Sequence, residues 1–311
     1  DKVRDSAALK FFVVALTAYG MATFEGPMMS LKNVNAITHF TDWTIAHVHI
    51  AGMGWNAGLV FGMLYWLVPV IFNTKLHSKK LANTHFWIAT LGILIYAIPL
   101  YWAAVTQWLM WREYTPEGFL AYPNFLETLS QIIPMYVARI IGGTLFVAGF
   151  IIMLYNLYKT MKSGKLEENA EAAAPALVSR GARNPDRETV HRWLERKGVR
   201  FSIVAFFVLA VGGAVEIIPM VFVKSNIPSI DTVTPYTPLE LAGRDIYISE
   251  GCYVCHSQMV RPFRWETDRY GEYSKIGEFV YDHPYQWGSR RIGPDLARAG
   301  VVSGPMFKSA A

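Results

Sequence analysis

The sequence predicts an all-α integral membrane protein, with about five transmembrane helices followed by a polar C-terminal domain. Three observations carry this prediction. Of 311 residues, 52% are hydrophobic and 14% aromatic, and the apolar residues come in runs. Five of those runs are long enough to cross a bilayer as helices, and the mean hydropathy is +0.23. The net charge is +5, but the basic residues gather in alternate connections. That pattern marks cytoplasmic loops and excludes a nucleic-acid footprint.

Lys2, Arg4 and Lys10 lead into the first span, Ala7 to Pro27. The stretch Asp1 to Lys10 is charged, lacks Met and opens a long span instead of a short signal-peptide core, so the chain reads as a piece of something longer. The second span, Trp43 to Phe72, and the third, Phe86 to Trp111, exceed what a bilayer requires and are expected to tilt or protrude. The fourth runs from Ile132 to Tyr158 and the fifth from Phe201 to Val223. Gly52, Gly54, Gly58, Gly62, Gly142, Gly143, Gly212 and Gly213 inside these spans permit close approach of another helix or of a cofactor.

Lys75, Lys79 and Lys80 separate spans two and three, and a basic series from Lys159 to Arg200 separates four and five. These loops and the N-terminus fall on the cytoplasmic side. Residues 28–42, 112–131 and everything after Lys224 then lie outside. Glu167 to Arg200 is Ala-rich and charged, with Pro175 and Pro185, and reads as a linker with a helical end, Arg187 to Lys197. Pro228 to Pro238 is a Pro/Thr-rich tether. The expected divisions are residues 1–165, 166–198, 199–224 and 225–311.

The second span carries His47 and His49 at its outer end. Residues two apart on a helix point about 200° apart, so this pair cannot chelate one small ion. It can reach two large groups, one on each side, and two haem planes suit that geometry. The alternative is two buried histidines bonded to neighbours. Ionisable groups in lipid are costly and usually functional, which favours ligands.

The polar domain carries Cys252-Tyr253-Val254-Cys255-His256, which holds both cysteines of the chain. Two thiols at this spacing add to the vinyl groups of one haem, and the adjacent His ligates iron. Zinc would require a second cysteine pair, which the chain lacks. The outer location also suits a covalent haem c. Pro294, in Gly293-Pro294-Asp295-Leu296, supports this, since a loop of this kind offers a backbone carbonyl to the other nitrogen of the ligating His.

Thr41 to Asn56 (TDWTIAHVHIAGMGWN) and Tyr19 to Pro27 (YGMATFEGP) resemble the catalytic subunit of cbb3-type cytochrome c oxidases, in the haem-copper oxidase superfamily. Val215 to Pro219, Gly243 to Tyr247 and Gly251 to Arg264 resemble the membrane-anchored mono-haem cytochrome c subunit of that enzyme. The resemblance covers nearly the whole chain and implies a fusion of the last part of the first subunit to the second. It implies His47 as proximal ligand of a high-spin haem b, His49 as axial ligand of a low-spin haem b, and His256 as ligand of haem c. Glu25 matches the carboxylate bonded to the proximal His, and Tyr19 a tyrosine on the proton path from the cytoplasm. The copper of the complete enzyme and the second ligand of low-spin haem b belong to earlier helices absent here.

The function implied is oxygen reduction to water with proton translocation. Electrons would come from cytochrome c or another periplasmic donor, alongside further subunits including a di-haem cytochrome c, in the bacterial inner membrane with no nucleic acid. Two rivals stand beside it: a nitric oxide reductase of the same superfamily, and a membrane-tethered cytochrome c carrier without oxygen chemistry. Glu216 is an intramembrane carboxylate without an assigned role. His39, His77, His85, His191 and His283 are expected in loops or at helix ends, solvated or structurally satisfied. The sixth ligand of haem c is expected to be missing, with Met306 as the only other candidate.

Overall fold

The computed structural model describes residues 2–166, 190–223 and 229–300. Among them the structure is helical, with two isolated bridge pairs and no sheet. Helix α1 runs Ala7–Ser30, capped by Ser6, whose hydroxyl accepts from the Leu9 amide at 3.3 Å. Helix α2 is Lys32–Thr38. Helix α3 is Asp42–Ile71, started by the Thr41 hydroxyl and wound as a π-helix over Ile50–Asn56. Helix α4 is Lys79–Arg112 and α5 is Phe125–Ser163. Helix α6 is Gly198–Phe222, α7 is Pro238–Ser249 and α8 is Arg264–Tyr270.

All five expected spans are helices long and apolar enough to cross a membrane. Two begin earlier than their apolar runs: α4 at Lys79 and not Phe86, α5 at Phe125 and not Ile132. The reason is capping. Ser78 accepts from the Leu81 amide and Asn124 from the Leu126 amide, so each helix starts in polar sequence, before its apolar run. The helical end expected over Arg187 to Lys197 appears as Val190–Glu195, and residues 187–189 lie outside the described residues.

Residues 2–166 pack with 236–274 and 282–300 as one compact unit. Helix α6 belongs to a second unit, within which none of its own residues is buried. In the first unit α4 and α5 touch backbone to backbone. A Cβ on Gly92 would stand 2.8 Å from the Gly142 carbonyl, and one on Gly142 2.5 Å from the Tyr96 nitrogen. Small residues permit this approach where lipid gives helices no hydrophobic drive to associate. Asn156 fastens the last part of α5 to the start of α4: its carbonyl accepts from the Ser78 amide at 3.0 Å, and its amide donates to the Ser78 carbonyl at 2.8 Å.

His85 corrects an expectation. It lies well inside α4, is wholly buried, and pairs through Nδ1 with the Tyr65 hydroxyl at 3.0 Å. Phe11 and Phe61 pack on its ring. The polar first turns of α4 made its depth illegible from the apolar run alone.

The C-terminal lobe is fastened to α2 and to the connection between α4 and α5 largely by arginines. Arg269, 3% exposed, donates to the carbonyls of Tyr122, Pro123 and Trp111. Arg261 reaches the Asn35 and Ala36 carbonyls near the end of α2, and Arg264 the Gly118 carbonyl. The Arg291 amide donates to the Phe40 carbonyl at 2.8 Å. Phe40, at φ 69, lies under the guanidinium groups of Arg261 and Arg291, and His39 stacks on its ring at 4.0 Å.

Burial, then Arg261 and Arg291, hold the His39 imidazole down at about 4. A histidine depressed in the fold leaves stability intact above its free value near 6.5 and removes it as pH falls toward about 4. Melting temperature should therefore fall across that window, and the fall should flatten in His39→Phe. An equal fall in the variant would sink this assignment.

Candidate haem-binding sites

Helix α3 presents His47 and His49 on opposite sides, and each imidazole is held by an oxygen. His47 Nδ1 lies 3.2 Å from Glu25 Oε2 on α1. Glu25 is buried at 8% exposure, and the Tyr101 hydroxyl on α4 donates to its two oxygens at 2.8 and 2.7 Å. His49 Nδ1 lies 2.7 Å from the Ile45 carbonyl, one turn back on its own helix. The Tyr96 ring lies tilted against the His49 ring, with centroids 4.7 Å apart. The third histidine, His256, has Nδ1 2.7 Å from the Pro294 carbonyl.

The oxygens decide the tautomers. A backbone carbonyl can only accept, so Nδ1 of His49 and of His256 must carry the proton. In the neutral ring Nε2 is then the unprotonated nitrogen, the form that binds a metal. An ionised Glu25 imposes the same tautomer on His47. Three imidazoles with bonded Nδ1 and free Nε2 fit iron ligation, and the bonds fix their orientation.

Around His256 the local fold is equally specific. Gly251, at φ 71, turns the chain into a short 3-10 segment, Cys252–Val254. Both cysteines are free thiols. The amides of Ile292 and Gly293 donate to the Cys255 carbonyl at 3.0 and 2.9 Å. Gly293 lies flat on the His256 ring, and any Cβ there would overlap the imidazole. The donor set and this cradle fit a covalent haem.

Asp295 braces the same loop from inside. It accepts from the Ser257 hydroxyl at 2.6 Å and the Met259 amide at 2.9 Å. Arg291 joins Asp295 to Glu266, all within the lobe interior. Burial opposes the Arg291 charge, but Glu266, Tyr270 and Asp295 outweigh it and hold the guanidinium above its ordinary value. Burial opposes ionisation of Glu266 too, yet Arg291 and Arg261 hold its carboxyl below the usual range.

The other expected residues are placed as follows. Tyr19 on α1 is partly exposed, its ring 4.8 Å from that of Trp55 in the π-helical turn. Glu216 is exposed on α6. Met306 lies outside the described residues. Sequence reasoning missed Tyr101, which no motif marks, and the Ile45 carbonyl, which i−4 spacing from His49 could have suggested.

Two family models match the chain. Residues 2–145 match "Cytochrome C and Quinol oxidase polypeptide I", and residues 191–308 match "Cytochrome C oxidase, mono-heme subunit/FixO". The "Cytochrome c oxidase subunit 1 homolog" of Agrobacterium tumefaciens is 48% identical over 179 residues, 57% of this chain and 33% of that protein. The "Cbb3-type cytochrome c oxidase subunit CcoN1" of Stutzerimonas stutzeri is 46% identical over 173 residues, 55% of this chain and 36% of that protein. A nitric oxide reductase subunit from the same organism is 27% identical over 155 residues, 49% of this chain and 32% of that protein. The chain spans about a third of the length of the two cytochrome c oxidase relatives. With the His-x-His helix and the CxxCH loop built as described, the chain is similar to the cbb3-type haem-copper oxidases, its first part to the catalytic-subunit family and its last to the mono-haem subunit family.

Proposed function

We propose that this chain is part of a proton-translocating cytochrome c oxidase of the cbb3 type, in which His256 holds haem c, His49 a low-spin haem b and His47 a high-spin haem b. The observation that carries the reading is a shared geometry: three histidines on the expected motifs, each with Nδ1 within hydrogen-bond distance of an oxygen. The haems supply one-electron transfer and, at the high-spin site, oxygen chemistry. Copper, which the family resemblance implies, would have its ligands on earlier helices of the catalytic subunit.

This chain's own residues then do the following. Cys252 and Cys255 would anchor haem c, and the Pro294 carbonyl holds His256 in place. Glu25 takes a hydrogen bond from the Tyr101 hydroxyl and lies 3.2 Å from His47 Nδ1, a contact that would make the imidazole a stronger donor to iron. Tyr19, inward of Glu25 on the same helix, would hand protons from the cytoplasmic side. Electrons would enter from cytochrome c or another periplasmic donor, with a di-haem subunit among the partners, in the bacterial inner membrane. The nitric oxide reductase alternative is weakened by its lower identity and by the mono-haem family match within the same chain.

Glu25→Gln in the assembled oxidase is expected to lower oxygen-reduction rate about 10–100-fold, with haem content kept. Unchanged turnover would return Glu25 to a packing role. Carbon monoxide binding by the assembled oxidase would exclude the tethered-carrier alternative, and its absence would favour it.

A further inference from the structure

Asp42 opens α3 and is a buried carboxylate, 1% exposed, with an uneven set of bonds. Oδ2 accepts from Gln107 Nε2 at 2.9 Å and from the Tyr136 hydroxyl at 2.8 Å. The Asp42 amide returns a bond to Gln107 Oε1 at 2.7 Å. Oδ1 has no hydrogen-bond partner among the described residues. Buried carboxylate oxygens are normally satisfied, so one left open needs an account. A helix-start brace would need only Oδ2.

The surroundings supply the account. The charges acting on Asp42 come from Arg139 on α5 and Arg290 on the C-terminal lobe, and its neutral partners are Gln107 on α4 and Tyr136 on α5. Arg290 donates to the Val254 carbonyl at 2.6 Å, inside the CxxCH motif. Arg139 also lies over the ring of Tyr96, which packs against His49. Asp42 therefore stands electrostatically between the two motifs. Seven residues separate it from His49, so it projects from nearly the same face about 10 Å further out.

We propose that Asp42 is a redox-linked proton site: its Oδ1 takes up one proton when the haem held by His49 is reduced and releases it on reoxidation. The inference rests on His49 as a haem ligand. The balance is simple. One electron from the cytochrome donor converts ferric to ferrous iron, and one proton from water on the outer side converts carboxylate to carboxylic acid. No existing bond need break, since Gln107 and Tyr136 stay on Oδ2. A unit charge about 10 Å away at an effective dielectric constant near 20 alters proton affinity on the order of tenfold.

The test is reduced-minus-oxidised infrared difference spectroscopy on the assembled oxidase, in water and heavy water. We expect a carboxylic C=O stretch on reduction that shifts in heavy water and disappears in Asp42→Asn. Tyr136→Phe, which removes one donor from Oδ2, should keep the stretch and move it to higher frequency. This second variant decides the matter should Asp42→Asn fail to assemble. No such stretch in the unsubstituted enzyme, its survival in Asp42→Asn, or an unmoved stretch in Tyr136→Phe would overturn the proposal. Visible spectra of His49→Leu separate the two levels: a low-spin haem retained there defeats the underlying ligand assignment instead.

Discussion

His47→Leu in the assembled oxidase is expected to abolish carbon monoxide binding while the low-spin haem spectrum stays, and His49→Leu to do the reverse. The warrant is angular. Both residues lie in the regular α-helical part of α3, before the π-helical turn at Ile50–Asn56, so about 200° separates their side chains. Their Nδ1 partners also differ, a carboxylate from α1 for one and a carbonyl of the same helix for the other. Each site is thus oriented independently, and loss of one ligand leaves the support of the other untouched. The effect is all-or-none for each spectral signal. If both variants lose the same signal, the two-haem assignment fails.

Arg291→Leu should unfold the C-terminal lobe without disturbing the membrane helices. Arg291 is essentially buried, and its removal strands Glu266 and Asp295 in an apolar interior. Breaking such a buried set costs about 3–5 kcal/mol, comparable to the stability of a small domain. It also loses the cation–π contacts to Phe40 at 4.1 Å and Tyr270 at 5.0 Å. Lysine should rescue poorly, because one ammonium cannot reproduce the planar fork that serves Ser257, Met259 and two carboxylates. The ratio of covalent to extractable haem reads this directly. A normal ratio with a normal melting temperature in Arg291→Leu would show that the network is dispensable.

The membrane helices were legible because lipid demands long apolar runs, and α1, α3, α4, α5 and α6 answer that demand in sequence. His47, His49 and the CxxCH loop were legible because spacing alone fixes their geometry. Tyr101, Gln107 and Tyr136 were not. Each is a polar residue in an apolar helix, and its meaning depends on which helix it faces. The π-helical turn left no trace either, since a stretch apolar on every side has no periodicity to interrupt. Nothing in the spacing of Arg261, Arg269 and Arg291 marks them for burial. Only the fold shows them buried against carbonyls and carboxylates.

The fastening of the lobe to α2 and to the connection between α4 and α5 carries a consequence for how such a chain can vary. Arg269 and Arg264 bind the path of the main chain around Trp111, Gly118, Tyr122 and Pro123, and Arg261 does the same at Asn35 and Ala36. A carbonyl is present whatever side chain follows it. The loops on the membrane side can therefore exchange most of their side chains and still be recognised, provided the backbone keeps its course. The arginines have no such freedom. The junction is tolerant on one side and exacting on the other, and a screen of random substitutions should find its sensitive positions almost entirely in the lobe.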